Sequence, residues 1–390
     1  MKSNIIISDS IKYIGADDKT IDLFESQYIV PNGISYNSYL IKDEKNVIMD
    51  TIDKRATKEW LENLERELAG EKPDYLVVSH MEPDHAYNIE LIANKYPNMK
   101  IVGNSKTFTY MPQFFDITNL ENRKVVVNEG DTLNIGKHAL TFIMAPMVHW
   151  PEVMFTYEES EKVLFSADAF GKFGCLDTDE DWDCEARRYY FNIVGKYGIQ
   201  VQNVLKKASN LDIKMICPLH GPILKENLNH YINKYDIWSS YKPEDDGVFI
   251  AYASIHGNTA EAAKEFAKIL KQKGARKVSI ADLSRNDMAE SIEDAFRYDK
   301  LILAASSYNA EVFPPMEQFL NHLKSKNYQN RRVGIIENGT WAPTAGKCIL
   351  EILNNMKDIT ICDKMVTIKS RMKNDTTKEL EILADEILQK

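Results

Sequence analysis

From residue 247 onward, five apolar runs recur: "VFIAYAS", "KVSIADL", "KLILAAS", "RRVGIIEN" and "KMVTIKS". Helical segments such as "NTAEAAKEFAKILKQKG" and "PPMEQFLNHLKSKN" separate them. A short run without polar alternation is a strand buried on both faces, and strands joined by helical crossovers must lie parallel. Few arrangements meet both conditions, and the pattern predicts a doubly wound parallel α/β sheet over residues 247–390.

Residues 1–246 read differently. Strand-like runs "IIIS", "YIV", "SYNSYLI" and "NVIMDT" open the chain, and meander-like strands return from residue 124 in "KVVVNEGDTLNIGKHALTFIMA" and "VMFTYEESEKVLFSAD". Between them "KEWLENLERELAG" and "YNIELIANKYP" have helical spacing. Sheets covered by outer helices, an α+β or αββα layering, fit this mixture. A chain of 390 residues exceeds one ordinary core. The polar stretch "SSYKPEDDG", residues 239–247, has linker composition, which sets the expected domains at 1–246 and 247–390.

Composition removes several classes of function. The net charge of -10 is carried by the first part, and the second shows no basic block, which argues against nucleic acid as a partner. There is no apolar run of about 20 residues and no secretory signal at the start, so a cytoplasmic protein with no membrane span is expected. The five cysteines form no CxxC pair, which leaves them as buried free thiols.

The stretch "SHMEPDHAYN" follows an apolar run and crowds His80, Glu82, Asp84 and His85 into six positions. Pro83 prevents a regular helix over the preceding turn, so a loop leaving a strand can aim all four side chains into one cavity. Histidines and carboxylates also collect on exposed loops for no special reason, and further donors are needed. His149 in "MVHWPEV", Asp168 in "LFSADAFG" and His220 in "KMICPLHGPIL" each stand where an apolar run gives way to a loop, the place from which a sheet presents functional groups. His138, His230 and His322 lack that context and read as surface residues.

In the second half "YASIHGNTAEAAKEF" leaves the first predicted strand and enters a helix. Ser254, Ile255, His256, Gly257, Asn258 and Thr259 can turn backbone N–H groups around a phosphate at the helix N-terminus, although such residues also make ordinary caps. Neither a Walker lysine nor GxGxxG is present. Ser306, Ser307, Tyr308, Asn309 and Ala310 follow the third predicted strand, and Asn338, Gly339, Thr340 and Trp341 the fourth. Tyr308 and Trp341 offer flat rings that could cover an isoalloxazine, or simply pack. Strands one, three and four are where a doubly wound sheet binds FMN.

The set HxExDH, His149, Asp168 and His220 resembles the metallo-β-lactamase superfamily. Its Glu82, where hydrolases of that superfamily usually carry histidine, resembles the flavodiiron proteins. A carboxylate hardens the site and favours redox-active iron over zinc. The second half resembles flavodoxin, with "SIHGNT" close to that family's (S/T)xxGxT pattern. The resemblance covers nearly the whole chain and implies FMN, two Fe ions and reduction of O2 to water, of NO to N2O, or both. It implies that His80, Glu82 and His149 bind one iron, that Asp84, His85 and His220 serve the other, and that Asp168 bridges them. In some members the histidine at the place of His85 turns away. The resemblance further implies a separate rubredoxin-like electron donor and a head-to-tail homodimer, or a dimer of dimers. A binuclear zinc hydrolase fused to a flavodoxin domain is the alternative, and an electron carrier with a dead metal site is a further one.

Overall fold

The computed structural model describes residues 7–389. They form two compact units: residues up to Tyr190 together with Ile199–Asp236, and Phe191–Gly198 together with Ile237 onward. The chain therefore passes briefly into the second unit before completing the first.

In the first unit, one sheet runs in sequence order through β1 (Ile11–Tyr13), β2 (Tyr39–Ile41), β3 (Val47–Met49), β4 (Tyr75–Val77), β5 (Lys100–Gly103) and β6 (Lys124–Val126). Its first three strands are antiparallel, and β3 to β6 are parallel. A second sheet follows through β7 (Thr132–Asn134), β8 (Ala139–Met144), β9 (Met154–Glu158), β10 (Val163–Phe165) and β11 (Met215–Cys217). It is antiparallel except for the last pair. Side chains from both sheets share one core, in which Tyr39, Val47 and Val102 meet Phe142, Met154 and Phe165. Each such fully buried side chain contributes roughly 1.5–3 kcal/mol. On the other face of the first sheet, Leu40, Ile48, Leu76 and Ile101 are buried too. Helix Thr57–Leu68 buries Trp60, Leu64 and Leu68 and ends on Ala69 in the left-handed conformation.

In the second unit, besides a two-residue strand Glu311–Val312 that pairs antiparallel with the end of Tyr298–Tyr308, the strands are β12 (Asp245–Ala253), β13 (Val278–Asp282), β14 (Tyr298–Tyr308), β15 (Arg331–Asn338) and β16 (Ile359–Ile368), and these five form the main sheet. All pair in parallel in the order β13-β12-β14-β15-β16. This is the doubly wound order in which the direction of winding reverses between β12 and β14, as the alternation predicted. Helix Asn258–Gln272 seals one face with Ala262, Ala263, Phe266 and Leu270.

Three local readings change. The irregular part of the stretch 239–247 narrows to residues 240–244, since Ser239 ends a helix and Asp245 already begins β12. Between them Glu244 accepts a 2.7 Å bond from Trp238 Nε1. Pro83 leaves the preceding turn non-helical as expected, but it starts a helical turn of its own, Pro83–Ala86, at the N1 position where a missing N–H is harmless, so Asp84 and His85 stand on a helical turn rather than a loop. His138 is buried rather than on the surface, because Asp43 takes both its backbone N–H at 2.8 Å and its Nδ1 at 2.7 Å. Among the described residues no helix is long and apolar enough to cross a membrane.

Candidate metal centre and flavin cradle

The ends of four strands supply the first site. Beyond β4, the backbone of Ser79 donates to the buried Asp50 carboxylate at 2.6 Å, which sets the course of the segment carrying His80. The Pro83–Ala86 turn then carries Asp84 and His85 inward, with Thr51 bonding the His85 carbonyl through N (3.0 Å) and Oγ1 (2.7 Å). The loops after β8, β10 and β11 bring in His149, Asp168 and His220.

These seven side chains form two groups, His80, Glu82, His149 and Asp168 in one and Asp84, His85 and His220 in the other, each with donor atoms within 4.8 Å of one another. Glu82 Oε2 lies 3.3 Å from His80 Nε2 and 3.0 Å from His149 Nε2. Asp84 Oδ2 lies 3.2 Å from the Nε2 atoms of both His85 and His220. Asp168 faces both groups. Its Oδ2 is 3.3 Å from His80 and 3.4 Å from His149, while its Oδ1 is 3.2 Å from His85 and 3.8 Å from His220.

Orientation comes from a surrounding layer of bonds. His80 Nδ1 meets Glu152 Oε1 at 2.8 Å, and His220 Nδ1 meets the Ser35 carbonyl at 2.7 Å. A ring whose Nδ1 proton is held by an acceptor offers its Nε2 lone pair inward. Glu152 is itself held: Met81 N donates to the same Oε1 at 2.9 Å, and Asn104 Nδ2 donates to its carbonyl at 2.5 Å. His85 Nδ1 is buried without such a partner.

The residues fit metal ions. Both oxygens of Asp84 and of Asp168 are buried with no hydrogen-bond partner, although imidazole nitrogens approach as near as 3.2 Å. Orphaned buried carboxylates are rare unless a cation completes them. Burial alone would raise the Asp168 carboxyl, yet His85 and His149 beside it hold it well below the usual range. His149, which burial would push down, is pushed well up by Asp168 and Glu82. A metal ion bound here would take the place of protons on the ring nitrogens. Nitrogen and oxygen donors without a thiolate suit iron, manganese or zinc.

The flavin loops gather at the carboxyl ends of β12, β14 and β15. Ser254, Ile255, His256 and Gly257 form the turn into helix Asn258–Gln272, whose N-cap Gly257 has φ 94° and supplies no side-chain cap. No heavy atom stands within 4 Å of where a Gly257 Cβ would be, so the backbone there is open to a ligand. Thr259 Oγ1 joins the loops, 2.9 Å from Ser306 Oγ and 3.3 Å from Asn338 Nδ2. Ser306, Ser307 and Tyr308 are the last residues of β14 rather than a loop, and Asn309 and Ala310 turn the chain back with positive φ. Ser307 Oγ accepts from the N–H groups of Thr344 and Ala345 at 2.8 and 3.0 Å. Gly339, Thr340 and Trp341 follow β15; Trp341 is 92% exposed and Tyr308 45%, so neither ring is used in packing the core. An open backbone turn at a helix N-terminus, with exposed rings at the ends of the neighbouring strands, fits FMN.

A family model described as "ODP family beta lactamase" matches residues 34–221, and one described as "Flavodoxin domain" matches residues 249–362. The chain is 30% identical over 381 residues to an uncharacterised protein of Methanocaldococcus jannaschii, covering 96% of this chain and 95% of that one. It is 29% identical over 352 residues to an anaerobic nitric oxide reductase flavorubredoxin of Klebsiella pneumoniae, covering 87% and 72%. Among solved structures, rubredoxin oxygen:oxidoreductase of Desulfovibrio gigas matches with a TM-score of 0.90 and 26% identity over 98% and 97% of the two chains. A flavo di-iron protein variant of Thermotoga maritima matches with a TM-score of 0.87 and 26% identity over 98% and 96%. The chain belongs to the flavodiiron family.

Several residues of this flavodiiron chain escaped the sequence reading. Glu152 stands three residues after His149 in a segment already singled out, but its role depends on a bond to His80 across the site. Asp50 and Ser35 act through backbone contacts that no motif announces. Ser370, after β16, bonds Asn338 through its N (3.0 Å) and O (2.8 Å) and so joins the flavin loops. The rule that selected the ends of strands one, three and four would have found it, had it been applied to strand five.

Proposed function

We propose that the protein is a flavodiiron reductase that reduces O2 to water, NO to N2O, or both. The observation that carries this reading is Asp168, whose two unpartnered oxygens each face a separate donor group. In this reading His80, Glu82 and His149 hold one iron, Asp84, His85 and His220 the other, and Asp168 is shared. Two irons held there would supply one-electron reductions of a diatomic molecule in pairs, and bound FMN would supply the electrons singly.

The chain's own residues position and protect. Glu152 and the Ser35 carbonyl fix the tautomers and planes of His80 and His220. Phe24 and Tyr36 pack their rings 5.3 and 5.9 Å from that of His220 and keep water from that side. Backbone N–H groups of residues 254–259 would receive the FMN phosphate, and Tyr308 and Trp341 would flank its ring. The same reading assigns the metal centre to a domain over 1–246 and the flavin to one over 247–390. It also gives a cytoplasmic head-to-tail homodimer or dimer of dimers, with electrons from a rubredoxin-like carrier.

Metal and flavin analysis with anaerobic reduction and stopped-flow mixing tests the reading. About two irons and one FMN per chain, with oxidation of the reduced protein by O2 or NO, are expected. Zinc with hydrolytic turnover would replace this reading with that of a hydrolase. Separate mixing with each gas assigns the substrate.

A further inference from the structure

The loop after β15, residues 339–344, carries Trp341 at an exposed tip. Thr340, Trp341 and Ala342 all face solvent, whereas Ala345 and Gly346, which open helix Ala345–Leu353, are buried. The ring of Trp341 is 92% exposed, so its placement depends on how the two ends of the loop are tied rather than on packing around it. Both ends are tied. Gly339 N donates to the Ile368 carbonyl at 3.0 Å, and Ser307 Oγ takes the N–H groups of Thr344 and Ala345. The ends also meet: a Cβ on Gly339 would stand 2.7 Å from Pro343 Cα, so the loop closes through a narrow neck that only glycine permits.

Behind this neck stands Glu337, which is 5% exposed. Its Oε2 accepts from Gly346 N at 2.8 Å, and its Oε1 accepts from Thr367 Oγ1 at 2.8 Å, Thr367 being its partner across the β15–β16 pair. Gly346 N lies in the first turn of its helix, where N–H groups have no acceptor within the helix and partial positive charge gathers. A carboxylate there makes a charge-assisted bond, roughly twice as strong as a neutral one. A side chain at 346 would press on that contact, since its Cβ would stand 2.3 Å from Met365 Sδ and 3.0 Å from Glu337 Oε2. Glu337 and Ser307 together therefore fix three successive N–H groups, those of Thr344, Ala345 and Gly346, where the loop becomes a helix.

We propose that Glu337 is a positioning residue for the flavin: by holding the first turn of helix Ala345–Leu353 it fixes the neck of the loop and sets Trp341 in place for the FMN ring. The proposal rests on the reading that FMN binds at these loops with Trp341 against its ring. Alanine at 337 leaves Gly346 N without its acceptor and frees the neck, so that FMN must order the loop as it binds, which lowers affinity. Glutamine keeps both contacts, its oxygen accepting from Gly346 N and its amide donating to Thr367 Oγ1, and lacks only the charge. It should fall between glutamate and alanine.

The test uses the full chain with its metals in place, freed of flavin and titrated with FMN by fluorescence. Glu337→Ala should raise the Kd about tenfold and Glu337→Gln about threefold. A double-mutant cycle with Trp341→Ala separates positioning from a general loss of structure. If Glu337 acts through the loop tip, most of its effect should disappear once Trp341 is absent. Should Glu337→Ala fail to fold, Glu337→Gln takes its place in the cycle. Wild-type affinity in the variant used, or a loss that simply adds to that of Trp341→Ala, would overturn the positioning role while leaving the flavin reading intact. A wild type that takes up no FMN, or a Trp341→Ala variant that binds it as tightly as wild type, would overturn both this role and the placing of the flavin at Trp341.

Discussion

The two halves of the molecule build their sites in opposite ways. The metal donors are deep, with His80 and His220 at 0% exposure and Asp168 at 1%, and acceptors behind them fix two of the rings. The flavin cradle lies at the surface and is made from backbone, hydroxyls and two exposed rings. The difference follows from what each ligand needs. A small cation is held by charged atoms at fixed short distances, so misplacement of one donor is severe. A phosphate and a flat ring system are held by many weak contacts, so the loss of one is tolerated.

The largest effect should come from Asp168→Ala, which removes the shared carboxylate. Loss of stoichiometric metal and a fall in turnover of at least about a hundredfold are expected, read by metal analysis and gas consumption. Two retained metals with normal turnover would break the picture of a shared ligand. Glu152→Ala touches no donor group except through His80, and should weaken metal binding by roughly tenfold to a hundredfold in chelator competition. An unchanged affinity would show that packing alone orients His80.

His138 sharpens the comparison within the first half, as a buried histidine outside the metal site. Its Nδ1 meets Asp43 at 2.7 Å and its Nε2 meets Glu161 at 3.3 Å. Burial works against its charge, but Asp43 and Glu161 raise its pKa overall; Asp43 is lowered chiefly by its bonds to His138, and Glu161 by Ser10 and Ser8 and then by His138. The histidine's contribution is complete below its unfolded value and is lost as pH rises through the raised one. The contributions of the carboxylates are present above their ordinary range and are lost as pH falls through the lowered ones. His138→Ala should therefore cost roughly 1–3 kcal/mol in denaturant unfolding between those limits, and less at alkaline pH, with metal content unchanged. A pH-independent cost would mean that the contact acts by packing.

The smallest effect is expected in the second half. Thr259→Val deletes the hydroxyl joining the loops of β12, β14 and β15 and should weaken FMN binding by about 1 kcal/mol in a fluorescence titration. Complete loss of flavin would show that this cradle is as intolerant as the metal site.

The same contrast explains what could be read in advance. The parallel order in the second half was legible because burial on both faces and helical crossovers leave few topologies. In the first half the donors were legible because each stands just beyond an apolar run, so alternation of strand and loop marks it. His138 was misjudged since the partners that bury it, Asp43, Ser10 and Glu161, lie far from it in the sequence and reach it only in the fold. The linker is shorter than its composition suggested because Asp245 and Asp246 look like loop residues, whereas Lys277, Arg297 and Lys300 neutralise them at the start of β12.

Local chemistry in the sequence determined the residue types: a carboxylate at Glu82 among histidines, no thiolate within the donor set, and a glycine where the cradle turns. Only the tertiary structure decided that Asp168 would turn one oxygen to each group and that Glu152 would stand behind His80. Such relations join residues dozens of positions apart. They depend on how two sheets pack and on the distances this leaves between loop ends, which local spacing does not encode.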